Sequence, residues 1–156
     1  MSTITVTLTK EEMREAAHLA VERRLRSLFR GDVDRTVSKH QKWDNEIEGA
    51  FGEFAFCKGL GFKPRLTIDT FKEPDVEGMY QIRTTTETSG RLIIRPGDPY
   101  GIYVLVRSQE PRFLICGWYD FKGQLKEGGE YWRDDCWWLS PGFPMEDPYK
   151  IPRPNR

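Results

Sequence analysis

Apolar and polar positions along the chain change period twice: after a short alternating start the spacing is helical to about Pro64, and beyond it the spacing is again that of strands. Thr3-Ile-Thr-Val-Thr-Leu8 alternates strictly and is β-rich, which predicts a short strand at a sheet edge. Thr9-Lys-Glu-Glu12 follows with the pattern of a capping box, in which Thr9 caps and Glu12 reaches back. The helix it opens runs to about Arg30, with Met13, Ala16, Ala17, Ala20, Val21, Leu25 and Leu28 as its apolar side and Gly31 as its stop. A second helix, from about Asn45 to Leu60, carries Ile47, Ala50, Phe51 and Phe54 at the helical period and ends in Gly59-Leu60-Gly61.

Beyond Pro64 the pattern predicts strands at roughly 65–69, 79–85, 91–95, 102–107 and 112–119, separated by turns rich in Gly, Pro and Asp. The runs Tyr103-Val-Leu-Val-Arg107 and Phe113-Leu-Ile-Cys-Gly-Trp118 read as antiparallel neighbours buried on both faces. The stretch Glu130 to Leu139 holds one more short strand. The Pro-rich end, Pro141 to Arg156, reads as an extended surface segment. No repeat or linker divides the chain. The expected organisation is an α/β (α+β) domain over residues 1–140 with a C-terminal extension over 141–156.

Composition narrows the choice of function. At 156 residues the chain is long enough for one proper core. Lys plus Arg and Asp plus Glu number 24 each, which excludes a global basic field, so any nucleic-acid surface must be a local concentration of cations. Cys57, Cys116 and Cys136 lie far apart without a CxxC pair and read as reduced thiols. Met1 to Leu8 lacks a basic segment followed by an apolar run, and no stretch approaches a membrane span. The expectation is a cytoplasmic protein with no membrane partner.

The chemistry-bearing stretch is Pro74 to Thr85. Side chains alternate across a strand, so Gln81 and Arg83 share one face while Tyr80 and Ile82 share the other. Asp75, held extended by Pro74, stands at the strand's approach; as an isolated dipeptide, Pro-Asp is also a common turn starter. On the second helix Glu53 lies about 120° from Ile47, flanking the apolar stripe, and otherwise reads as a surface acid. Gly49 and Gly52 bare the neighbouring helix surface to a strand or a phosphate backbone. A hard cation such as Mg²⁺ takes oxygen ligands and needs only one or two carboxylates. Asp75, Glu53, the Gln81 side-chain oxygen and the Ile82 carbonyl are the candidate partial shell, with Arg83 set to hold a phosphate.

The order Gly52-Glu53, Pro74-Asp75, Gln81-Ile-Arg83 resembles the PD-(D/E)xK nuclease superfamily. Gln81-Ile-Arg-Thr-Thr85, Arg91-Leu-Ile-Ile-Arg-Pro-Gly-Asp98, Tyr103-Val-Leu-Val and Gly117-Trp118 resemble small phage-encoded members. The resemblance spans about residues 45–120. It implies a restriction-endonuclease-like core, with a central mixed β-sheet flanked by helices. It further implies a Mg²⁺- or Mn²⁺-dependent DNA endonuclease or resolvase-like phosphodiesterase in a bacterial host's cytoplasm, able to form a homodimer. Asp75 would be the principal metal ligand and Glu53 an accessory one. Gln81 stands where a second acid is usual and Arg83 where lysine is usual. The amide brings no charge and arginine cannot be deprotonated, so activity is expected to be weakened.

Thr84, Thr85, Arg91 and Arg95 would join Arg83 along the nucleic acid, and Asp98 is a further acid nearby. Two alternatives remain open: a nucleic-acid-binding protein on the same fold with a decayed centre, and a phage protein that binds a host factor. The arginines 23, 24, 26, 30 and 35 read as a solvated helix face or a phosphate ridge. His18 reads as a helix-surface residue, and His40 as a surface residue or a phosphate contact. Trp132, Trp137 and Trp138 read as core or cover, or as stacking partners for unpaired bases.

Overall fold

The computed structural model describes residues 2–30, 39–65 and 76–155, with side chains for all of these except 39–42. The elements run β1 (Ile4–Thr7), α1 (Lys10–Arg30), α2 (Lys39–Leu60), β2 (Tyr80–Thr85), β3 (Leu92–Ile94), β4 (Gly101–Gln109), β5 (Arg112–Phe121), β6 (Trp132–Arg133) and β7 (Cys136–Leu139), followed by a 3₁₀ turn at Pro148–Lys150. The capping box forms as the spacing predicts: Thr9 N–H donates to Glu12 Oε1 at 2.8 Å and Glu12 N–H to Thr9 Oγ1 at 3.1 Å. Helix α2 starts at Lys39, earlier than its apolar stripe indicates. The strand expected at 65–69 falls outside the described residues, apart from Arg65, which is not in a strand.

Two sheets form. The larger has the order β1-β5-β4-β2 and is mixed, because β2 runs parallel to β4 while the other pairs are antiparallel. β1 lies at its edge, where the Thr7 carbonyl accepts from Lys58 Nζ at 2.8 Å and the Thr3 carbonyl from the Tyr149 hydroxyl at 3.3 Å. The smaller sheet, β3-β7-β6, is antiparallel and contains a hairpin rather than the one short strand expected. Its turn residues Asp134 and Asp135 both have positive φ, 51° and 61°, as a two-residue type I′ hairpin requires.

Each face of the four-stranded sheet carries its own core. Tyr80, Ile82, Val104, Val106, Phe113 and Ile115 face the helices and pack with Ala16, Ala20, Phe51, Phe54 and Phe56. Tyr103, Leu105 and Phe121 face the other way and are covered by Leu92, Ile94, Trp137 and Leu139 of the small sheet, together with Met145. An irregularity in the β4–β5 register after Leu105 makes Cys116 an extra residue, so Ile115 and Trp118 both reach the helix side.

Two expectations change. On α1, Leu19 is buried, whereas Leu25 and Leu28 are 37% and 44% exposed. The Pro-rich end is part of the body: Met145, Pro148 and Ile151 are buried, and Glu146 bridges to Trp118. The Tyr80 hydroxyl donates to the Pro152 carbonyl, and Arg153 donates to the Leu60 carbonyl at 2.7 Å.

Candidate functional site

Helix α2 meets β2 where Gly52 faces Thr84. A Cβ on Gly52 would overlap Thr84 Oγ1 and lie 3.0 Å from Thr84 Cβ, so glycine is what allows the close approach. Gly49 has nothing within 4 Å of such a Cβ. The next residue, Glu53, turns to α1: Arg23 Nη1 donates to its two oxygens at 3.1 and 3.5 Å, and Arg23 Nη2 donates to the Arg65 carbonyl at 3.2 Å. The side chains of Arg23 and Glu53 are 13% and 15% exposed. A charge pair this sheltered is screened little by salt, and each partner compensates the other's desolvation.

Gln81 and Arg83 occupy the opposite face of the sheet. Gln81 is 8% exposed and pairs in register with Tyr103. The Arg83 guanidinium lies 5.2 Å from the centre of the Tyr103 ring, and its Nη2 is 3.6 Å from Asp98 Oδ2. Arg83 Nε is buried without a hydrogen-bond partner among the described residues. Asp98 is fixed in turn by the Arg95 N–H, which donates to it at 2.8 Å. The strand alternation therefore holds, and Asp98 lies beside Arg83. Glu53 does not lie on that face: Gln81 and Arg83 belong with the second core's side, and Glu53 with the helices.

This division bears directly on the expected Mg²⁺ shell. Glu53 is committed to a guanidinium, Gln81 points away from the helix that carries Glu53, and Ile82 sits in the strand paired with Val104 with its side chain in the helix-side core. Asp75 lies outside the described residues. Among the described residues no group of three His, Cys, Asp or Glu side chains is placed to hold a metal ion. Among the described residues, Glu53 and Gln81 are therefore not brought together on one face of the sheet.

The expected nucleic-acid contacts also separate. Thr84 is half-buried and faces α2, and its Oγ1 is buried with no partner among the described residues. Thr85 Oγ1 accepts from the Glu87 N–H at 3.1 Å. Arg91 and Arg95 are exposed at the two ends of β3, whereas Leu92 and Ile94 between them are buried in the second core, so strand alternation puts both arginines on the outer side of the small sheet. Along α1, Arg24 is 5% exposed with its guanidinium 5.8 Å from the Trp43 ring centre, which removes it from any phosphate ridge. Arg35 lies outside the described residues, as does the side chain of His40, and His18 is exposed.

A second cluster carries no sequence signal. Glu48 on α2 is pushed up to about 7, first by burial and then by the Glu110 carboxyl, with which it shares a hydrogen bond. Asp44 adds to the rise, and a hydrogen bond with Ser108 opposes it. Glu48 and Glu110 lie far apart in the chain, and the turn joining β4 to β5 brings them together. The buried Cys57 thiol is pushed up to about 12 by burial and by the charges of Glu53 and Glu77.

Comparison with protein-family models, curated proteins and solved structures finds no match for this chain. No helix among the described residues is long and apolar enough to cross a membrane.

Proposed function

We propose that the protein binds nucleic acid on a nuclease-like core whose cleavage centre has decayed. The observation that carries the reading is the division of the expected centre: Glu53 is neutralised by Arg23 on the helix face, while Gln81 and Arg83 lie on the other face without a second acid at position 81. Nucleic acid as the partner rests on the likeness of the Gly52-to-Trp118 region to PD-(D/E)xK proteins, with the mixed α+β sheet as coarse support. The other reading is a Mg²⁺-dependent endonuclease. One observation favours it: Asp98 stands 3.6 Å from Arg83, an acid beside the cation where position 81 lacks one.

Fluorescence anisotropy with labelled duplex, branched and single-stranded DNA tests the binding claim. Binding is expected at 50 mM salt, weakening as salt rises because phosphate contacts release counterions. No affinity for any of the three at 50 mM salt would overturn it.

A further inference from the structure

The small sheet has two faces, and the second core uses one of them. Leu92, Ile94, Trp137 and Leu139 point inward, with Trp132 packed alongside them. Registers Ile93↔Trp138 and Arg133↔Cys136 place those four on the outer face, and the exposed Arg91 and Arg95 flank Ile93 on the same side.

Trp138 is held in place there. Its indole N–H donates to the Arg133 carbonyl at 2.8 Å, and its backbone N–H to the Tyr131 carbonyl at 2.9 Å. The Arg133 guanidinium lies over the indole, 4.7 Å from the ring centre, while the Arg133 side chain stays 65% exposed. The result is a rigid aromatic plane topped by a planar cation open to solvent. Arg133 also touches Asp134 at 3.5 Å, and Asp135 follows in the same turn, so three guanidiniums on this face meet two carboxylates at its tip.

We infer that the outer face of the β3-β7-β6 sheet is a stacking platform for single-stranded nucleic acid, with Trp138 and Arg133 taking a base and Arg91 and Arg95 the neighbouring phosphates. Every base has a π-face, and both an indole and a guanidinium plane accept it. Base stacking on an aromatic side chain is worth about 1–3 kcal/mol, or roughly 5- to 150-fold in affinity. A surface already locked in place has little ordering entropy left to lose on binding. An acidic peptide matches the arginines equally well but gains nothing specific from the stacked plane. The inference rests on the proposed nucleic-acid partner, but it assigns a different surface from the Arg83 side.

The test uses anisotropy of a labelled 15-residue oligo(dT) and of an abasic strand with the same phosphates, with poly-glutamate as competitor. The intact protein is expected to prefer oligo(dT). Trp138→Ala should weaken oligo(dT) binding at least 5-fold and leave the abasic strand unchanged. Trp138→Phe should retain most of the affinity, which separates lost stacking from lost folding. The double variant R91A/R95A, whose side chains lie outside the core, should weaken both strands and lower the salt slope by about 1–2. Equal affinity for the two strands, or no effect of Trp138→Ala, would overturn the platform. If duplex binding persisted in that case, nucleic acid would stand as the partner and the platform alone would fall. Loss of all nucleic-acid binding by the intact protein would remove both readings. Poly-glutamate competing as well as oligo(dT) would assign the face to an acidic peptide and overturn the platform.

Discussion

If Glu53 is the partner of Arg23 and not a metal ligand, its removal must cost stability. Breaking a buried ion pair by deleting one partner costs about 3–5 kcal/mol, because the remaining charge stays buried and uncompensated. Arg23 and Glu53 keep 13% and 15% of their side-chain surface in contact with water, and Arg23 retains the Arg65 carbonyl. The expected cost of Glu53→Ala is therefore lower, about 2–3 kcal/mol. Arg23→Ala should cost at least as much, since it also releases that carbonyl. The double variant should cost less than the sum, with a coupling of about 1–2 kcal/mol. Urea denaturation followed by far-ultraviolet circular dichroism reads all four corners of the cycle. Repeating it at high salt should change the coupling little, because the pair is sheltered. A neutral or stabilising Glu53→Ala would refute the reasoning. That outcome belongs to a carboxylate held among other acids for a cation, where losing one relieves repulsion.

Gly52→Ala should destabilise by about 1–3 kcal/mol despite alanine's better helix propensity, because the new methyl overlaps Thr84. Thr84→Ala should be close to neutral alone, since it removes a buried hydroxyl that has no partner among the described residues, and should recover much of the Gly52→Ala loss in the same urea assay. The Glu48–Glu110 pair sets a pH dependence. Glu48 keeps its proton to about 7 when folded and releases it near 4.5 when unfolded, so the folded state holds more protons between those values and stability falls as pH rises through them. At 1.4 kcal/mol per pH unit the full displacement is worth about 3 kcal/mol, which solvent screening of this half-buried group reduces to about 1–2 kcal/mol. Glu48→Gln should remove that slope between pH 5 and 7.5. Among the three thiols, Cys57 and Cys116 are at most 1% exposed and Cys136 is half-buried, so a thiol reagent at pH 8 should label Cys136 alone in the native protein, as peptide mass spectrometry would read.

Local chemistry was readable where one segment contains its own signal. The Thr9–Glu12 box, the β4–β5 pair and the edge position of β1 all follow from adjacent residues. Gly52 also announced a close approach, and a strand makes it. The alternation in β2 correctly put Gln81 and Arg83 on one face, but a strand does not say which face its helices will cover. That decision comes from the two cores, and it is what separates Glu53 from Arg83. Arg23 and Glu53 are 30 residues apart with no shared motif, so their pairing had no signal in the chain. The β6–β7 hairpin was blurred because its turn is Asp-Asp, in place of the Asn-Gly that marks most such turns. The tail reads as surface because prolines interrupt any period, yet Met145 joins the second core, Ile151 the helix-side core, and Pro148 is buried.

The proposed decay of the cleavage centre is most directly tested by incubating supercoiled plasmid with the protein and Mg²⁺ or Mn²⁺ and following nicked product on a gel. The plasmid should stay intact at protein concentrations that saturate binding. Metal-dependent nicking by the intact chain, lost in both Asp75→Ala and Gln81→Ala, would contradict that decay and restore the endonuclease.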